Sequence, residues 1–348
     1  MILYVLRYWP TLTETFVHDE IRGLRAAGVD VELAAMDPRG DPHTEAPPAP
    51  VRVRPHRWGW LRALPSLVVE WLRGPTLDRR VLWLATEVRR AKRVHVHFAG
   101  EAAAQVRAAC LRAGVPYSLT VHAVDLFKPR PDLGDVLRDA AAVVTISEHN
   151  RRWLRETYGV ESSIVRYGVD LARFARGEPA DPPVVLSVGR WVPKKGLDTL
   201  AEAARRLGRR AVVRLVSDAP KLDGVEVAGL LPREGVREAL AAATVFALPC
   251  RRAPDGDLDG IPVAMIEAMA AGLPVITTPV SGIPELVDDE VGWLVPPDDP
   301  DALAAAMRAA LDDPAEARRR GEAGRARVRA RGYTAETALA SMRALLGV

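Results

Sequence analysis

Short apolar runs of strand length alternate with longer segments of helical period along almost the whole chain, and no other feature limits the fold so strongly. Parallel neighbouring strands need a crossover between them, usually a helix, so repeated alternation means parallel sheets with helices packed on both faces. In the first half the strand candidates are 2–8, 29–36, 93–98, 116–122, 142–147 and 163–167, with helices over 14–27, 76–91, 100–113 and 148–158. A second series opens at Val184-Val185-Leu186-Ser187-Val188-Gly189 and continues through 211–216, 225–230, 244–249 and 274–277. Its helices fall near 196–207, 233–242, 262–271 and 301–311. The stretch 168–183 between the series is rich in Gly, Pro, Asp and Ala and reads as a hinge. The predicted fold class is α/β, with two doubly wound domains, 1–170 and 184–332, joined by a linker at 171–183 and facing each other across a cleft. Ligands of such sheets bind outside the carboxyl ends of the strands. One connection is irregular: Ser217 to Gly224 is too short for a crossover helix, so either the flanking strands are not neighbours or the segment is trimmed.

Composition removes several classes. A chain of 348 residues exceeds one ordinary core, and its formal charge of +3, with basic residues scattered among acids, argues against nucleic acid as a partner. The only cysteines, Cys110 and Cys250, lie far apart, which implies neither a disulfide framework nor a cysteine zinc site and suits a cytoplasmic protein. Met1 to Leu6 is too short for the apolar core of a signal peptide and reads as a buried first strand. No run reaches membrane-spanning length.

Two segments concentrate chemistry. Ser187-Val188-Gly189-Arg190-Trp191-Val192-Pro193-Lys194-Lys195-Gly196 places cations on the loop between the second domain's first strand and first helix. Arg190 offers a planar fork of donors and Lys195 a mobile point charge, a combination suited to the spread oxygens of a diphosphate. The run from Asp259 to Ile276 reads as a loop turning at Gly260, a short helix, a stop at Gly272 and a buried strand. Pro262 suits the first helical position and has no N–H, so the amides presented to an anion would come from Ile261 and Val263. Glu267 sits among Met265, Ile266, Met269 and Ala270, where a carboxylate is costly unless something such as ribose hydroxyls pairs with it.

Together these segments resemble the donor-binding half of a retaining glycosyltransferase of family four, with the GT-B fold of two Rossmann-like domains. The likeness rests on VGRWVPKKG, on Asp259 and Glu267 eight positions apart, and on EAMAAGLPVITTPVSGIPELV. It extends to Thr13-Glu14-Thr15-Phe16, Glu20-Ile21, His95-Val96-His97-Phe98, Leu119 to Asp125, Ile146-Ser147-Glu148 and Tyr167-Gly168-Val169-Asp170. The resemblance implies that Arg190 and Lys195 hold the donor diphosphate, Glu267 the ribose, and Asp259 the transferred sugar, with His122 against that sugar from the first domain. Thr13, Glu14, His97 and Asp125 are candidates for the acceptor side of the cleft. It also implies that 333–348, with a helix at 335–346, returns to the first domain. Departures are Asp259 where Glu is usual, Pro10-Thr11-Leu12-Thr13 in place of a glycine pair, and Ser217 and Ala219 where glycines are common.

The implied reaction moves a sugar from a nucleotide diphosphate sugar to a saccharide or lipid-linked acceptor in cell-envelope or exopolysaccharide synthesis. Negative charge grows on the leaving diphosphate, and donors aimed at that charge lower the barrier. No metal or other cofactor is expected, since Arg190 and Lys195 neutralise phosphate; Asp255-Gly256-Asp257 reads as a solvated turn. His95 and His97 are read as facing opposite sides of the sheet, so no shared ion is expected from them. The segment Arg52 to Arg93, with Trp58, Trp60, Trp71 and Trp83, reads either as an Arg-bearing surface for peripheral membrane contact or as packed core. The Arg-rich 317–331 reads as a solvated helix face. A sugar-nucleotide epimerase or phosphorylase, or a non-catalytic binding protein, are the rival classes, because fold does not fix function.

Overall fold

The computed structural model describes residues 1–8, 15–37, 47–54, 68 and 78–348. These form two compact units: Met1–Ile146, Arg151–Val165 and Ala338–Val348 in the first, and Ser147–Asn150 with Arg166–Thr337 in the second.

Among the described residues the first unit holds seven parallel strands: β1 (Ile2–Tyr8), β2 (Val31–Asp37), β3 (Val51–Val53), β4 (Arg93–His97), β5 (Tyr117–Thr120), β6 (Ala142–Thr145) and β7 (Ser163–Ile164). Their order is β3-β2-β1-β4-β5-β6-β7, so the winding reverses between β1 and β4. The central strands are apolar along their length because both faces are covered; Ile2 to Leu6 are all buried. The helices of this half are α1 (Thr15–Ala26), α2 (Arg79–Val88), α3 (Glu101–Ala113), α4 (Ala123–Phe127), α5 (Leu133–Arg138) and α6 (Glu148–Tyr158). Helix α2 starts where Asp78 accepts the Arg80 N–H, and it buries Val81, Leu82, Trp83, Leu84 and Val88. Trp83 is therefore a core residue, while Trp58, Trp60 and Trp71 lie outside the described residues.

The second unit holds β8 (Val184–Val188), β9 (Val212–Val216), β10 (Glu226–Gly229), β11 (Val245–Leu248), β12 (Val275–Thr277) and β13 (Gly292–Leu294), all parallel, in the order β10-β9-β8-β11-β12-β13. Around them lie α7 (Leu197–Leu207), α8 (Arg233–Ala242), α9 (Val263–Ala270), α10 (Pro300–Asp312) and α11 (Pro314–Ala330). The last helix, α12 (Ala335–Leu346), groups from Ala338 onward with the first unit, where Met342 and Leu346 join a core with Tyr4, Val17, Ile21 and Leu24. Ser147–Asn150 groups with the second unit because the Glu285 carboxylate accepts the backbone N–H groups of Glu148 (2.9 Å) and His149 (2.7 Å), capping the start of α6.

Each unit is doubly wound, as the alternation predicts. The irregular connection resolves in favour of a trimmed segment: β9 and β10 are direct neighbours, with Glu226 beside Arg214 and Val227 beside Leu215, although no helix joins them. The reading of 317–331 as a solvated face is corrected. Arg318 and Arg319 are exposed, but Arg325 donates to the carbonyls of Phe174, Ala270 and Leu171, Arg327 pairs with Asp288 and Glu290, and Arg320 stacks on Trp293. These side chains tie α11 to carbonyls and acids of neighbouring segments, a use of arginine that charge patterning alone does not reveal.

Candidate functional site

In the second unit, β8 and β11 are neighbours on either side of the point where winding reverses, so the loops leaving their carboxyl ends flank a crevice. The loop after β8 forms one turn of 3-10 helix at Pro193–Lys195 and stops at Gly196, whose φ of +63° a side chain would resist. A Cβ on Gly196 would also lie 2.0 Å from the carbonyl oxygen of Pro249, so this glycine lets the two loops touch. Arg251 fastens the contact: its backbone N–H donates to Lys194 O at 2.9 Å and its Nε to Pro193 O at 2.8 Å, while Asp198 and Asp298 hold the rest of the guanidinium.

This clamp brings the predicted residues together in an unexpected way. Lys195 Nζ lies 2.7 Å from Asp259 Oδ2, and Lys194 Nζ lies 3.1 Å from Asp257 Oδ2 and 3.6 Å from Asp259 Oδ1. Two adjacent lysines thus meet two acids spaced two apart, and all four side chains are largely buried. The Cys250 thiol, 3.6 Å from Asp259, completes the surroundings. Burial would push the Asp259 carboxyl up, yet Lys195 and then Lys194 hold it below its ordinary range. Burial likewise opposes the charge on Lys195, and the neighbouring Asp259 wins and raises it. Arg190 is exposed, lies close enough to disfavour the Lys195 charge, and forms no ion pair among the described residues.

Helix α9 begins at Val263, with Pro262 at the cap and not at the first helical position. The Met265 and Ile266 N–H groups bond to Pro262 O, which leaves the amides of Val263 and Ala264 at the open helix start. Gly260 and Ile261 are buried in the approach to that start, and Glu267 is half-buried on the second turn. The turn at Asp255–Asp257 is not simply solvated: the Asp257 N–H bonds to Asp255 at 3.1 Å while its carboxylate pairs with Lys194. Lys194, Asp257 and Arg251 are the residues that sequence reasoning missed here. The Lys-Lys doublet facing an Asp-x-Asp was the available signal.

In the first unit, His122 caps α4 at the end of β5. Its N–H donates to Asp125 at 2.8 Å, and Ala99 gives the same carboxylate a second backbone bond. The His122 ring packs on Phe98 and Phe16, with centroids 4.1 and 5.3 Å away, and its Nε2 is 3.3 Å from His97 Nδ1. His97 Nε2 is 3.2 Å from Glu20, which also accepts the Tyr4 hydroxyl at 2.7 Å. A cavity of about 300 Å³ lies at this end of the sheet, lined in part by Tyr8, His97, Phe98, Asp125, Lys128 and Arg130. Thr13 and Glu14 lie outside the described residues.

The placement of His95 and His97 on opposite faces is overturned. Residues two apart in a strand share a face, and the two rings stand 4.9 Å apart. With Glu20 they form a set, among the described residues, whose ligand atoms lie within 4.8 Å of one another, close enough to consider a cation. Each ring nitrogen is already engaged, however: His95 with Ser118 (2.8 Å) and Thr120 (3.0 Å), His97 with His122 and Glu20. The cluster is satisfied as a hydrogen-bond network.

That network has a pH signature. Burial, reinforced by His97, depresses His95 to about 3 and His122 well below 6.5, so both rings bind more protons unfolded than folded as pH drops below 6.5. Their contribution is present above 6.5 and is lost on acidification. Asp125, raised by burial to about 6, acts in the opposite sense between its ordinary 3.8 and that value. Stability should therefore fall from pH 7 towards 5 by up to about 1.4 kcal/mol per pH unit for each histidine not offset by Asp125. Urea midpoints that stay flat over this range would show that the rings are solvated.

A family model of Glycosyltransferase Family 4 matches residues 13–173, and one of Glycosyl transferases group 1 matches 182–313. The putative colanic acid biosynthesis glycosyltransferase WcaL of Escherichia coli is 30% identical over 364 residues, spanning 88% of this chain and 89% of that protein. The chain belongs to glycosyltransferase family 4. The amylovoran biosynthesis glycosyltransferase AmsK of Erwinia amylovora is 37% identical over 165 residues, 42% of this chain and 40% of its own. Among solved structures, Anabaena HepE in complex with UDP and glucose superposes with a TM-score of 0.79 at 18% identity, covering 99% of each chain. The glycosyltransferase thus has the GT-B fold. Among its described residues no helix is long and apolar enough to cross a membrane.

Proposed function

We propose that this glycosyltransferase retains anomeric configuration, needs no metal ion, and takes its sugar from a nucleotide diphosphate donor bound at the β8–β11 crevice of the second unit. The observation that carries this reading is the Lys195–Asp259 contact of 2.7 Å beside exposed Arg190 and the open start of α9. Lys195 and Arg190 meet the diphosphate, with the Val263 amide and the approach through Gly260 and Ile261 completing its cradle. Asp259 meets hydroxyls of the transferred sugar, and Glu267 those of the ribose. Charge growing on the leaving group is then matched by cations already in place, which is how such donors lower a barrier.

Among the described residues of this crevice, Asp259 is bound to lysine and assigned to hydroxyls and Glu267 is assigned to the ribose, so neither is offered as a covalent nucleophile. Attack from the face the diphosphate leaves, with a departing phosphate oxygen taking the acceptor's proton, therefore gives retention. WcaL and AmsK are named for polysaccharide biosynthesis, and HepE was solved with UDP and glucose. We accordingly assign the acceptor to a saccharide, free or lipid-linked, of a cell-surface polysaccharide, reached from the cytoplasmic side.

The test is turnover of a panel of UDP- and GDP-sugars with saccharide acceptors in the presence of EDTA, with the anomeric proton of the product followed by NMR. An α-linked sugar passing from an α-donor with EDTA present is the expected result. An inverted product, or activity abolished by EDTA and restored by a divalent cation, would overturn the mechanism. Full activity in Asp259→Ala would remove that residue from it.

A further inference from the structure

The second cation beside Asp259 has no role in the reading above. Lys194 is itself buried, at 8% exposure, and its Nζ touches Asp257 at 3.1 and 3.2 Å while standing 3.6 Å from Asp259 Oδ1, the oxygen other than the one Lys195 holds. A lone lysine and aspartate would form a pair that any competing anion must break, leaving a bare carboxylate in a largely buried site. Here two lysines and two aspartates close into a set with no net charge, and Lys194 bridges both acids.

We propose that Lys194 is the standing counter-cation of Asp259: when the donor diphosphate draws Lys195 away, Lys194, anchored on Asp257, keeps Asp259 ionised to accept hydrogen bonds from the sugar. Lys194 is then a positioning residue, since it touches neither phosphate nor sugar. The charge ledger supports it. The groups facing Asp259 are Lys195, Lys194 and the Cys250 thiol, and Arg190 disfavours the charge on Lys195. The thiol stays protonated in this surrounding, because burial raises it and Asp259 raises it further, so it can donate to the carboxylate but not neutralise it. Once Lys195 turns to phosphate, Lys194 is the remaining cation within 4 Å of Asp259 among the described residues. Without it, a carboxylate with these neighbours would take up a proton from water as the diphosphate binds.

This inference rests on the assignment of Lys195 to the diphosphate, and the two can fail separately. Calorimetric titration with UDP and with GDP, repeated in buffers of different ionisation enthalpy, counts the protons that accompany binding. The expected result is close to none in the unaltered enzyme and about one in Lys194→Met near neutral pH, with Lys194→Arg restoring the unaltered value. Should Lys194→Met not fold, Lys194→Met combined with Asp257→Leu removes both ends of the outer pair and must show the same uptake. Equal proton counts in the unaltered enzyme and either variant overturn the proposal for Lys194. Unchanged nucleotide affinity in Lys195→Met overturns the donor-site assignment instead.

Discussion

Replacing Lys195 by Met should reduce sugar transfer about 100- to 1,000-fold, the loss that follows removal of one preorganised donor to a developing negative charge. The same change should destabilise the fold. It strands Asp259 in a largely buried position, and breaking a buried pair from one side costs about 3–5 kcal/mol. Lys194 at 3.6 Å takes up part of that burden, so about 3 kcal/mol is the expected figure. The two effects separate in the variant carrying Lys195→Met with Asp259→Leu, because replacing both members of a buried pair by apolar groups is often neutral. Urea midpoints should recover in the double variant while transfer does not. A double variant that regains activity would mean that neither residue meets the donor, and a single variant as stable as the parent would mean that Asp259 reaches water.

Gly196→Ala is the second change expected to act strongly, and it contains no charge at all. Its backbone sits at φ +63°, where a Cβ costs about 1–2 kcal/mol, and that Cβ would lie 2.0 Å from Pro249 O, so one of the two loops must move. Forcing extra volume into a packed contact adds about 1–3 kcal/mol. Together these predict a loss of about 2–5 kcal/mol, or a melting temperature lower by about 10 °C for a unit of this size. Because Gly196 follows Lys195 directly and Pro249 leads into the Asp259 loop, nucleotide affinity should fall with it. Gly189→Ala is the control: its Cβ would meet the Lys195 stem at an ordinary 3.5 Å, and its stability should stay within about 0.5 kcal/mol of the parent. If the two variants melt together, the close approach of the loops is not structurally required.

Long elements with clear periodicity are legible in the sequence itself. The helices read at 148–158, 233–242 and 335–346 coincide with α6, α8 and α12, and the opening strand of each series lies where the apolar runs place it. What escaped was short. β3 has three residues, β13 is Gly-Trp-Leu, and α4 and α5 have five and six residues, lengths at which neither a period of two nor of 3.6 can establish itself. Gly292 opens β13, although glycine ordinarily weakens a strand, because a Cβ there would fall 2.4 Å from Val275 O. Only the closeness of β12 explains its presence.

At the site the division follows the same logic. Sequence alone placed the cations at 190–195 and the acids at 255–267 on loops of one doubly wound sheet, since topology sends loops that leave the carboxyl ends of such strands to one edge whatever their detailed course. The tertiary structure decided which lysine meets which acid, that Glu20 joins His97 and Tyr4 from a helix far along the chain, and that arginines of α11 turn inward. Strand and helix periods are written in near neighbours and survive in one dimension. A contact of about 3 Å between side chains dozens of residues apart depends on loop conformations, such as the left-handed turn at Gly196, that no local pattern encodes.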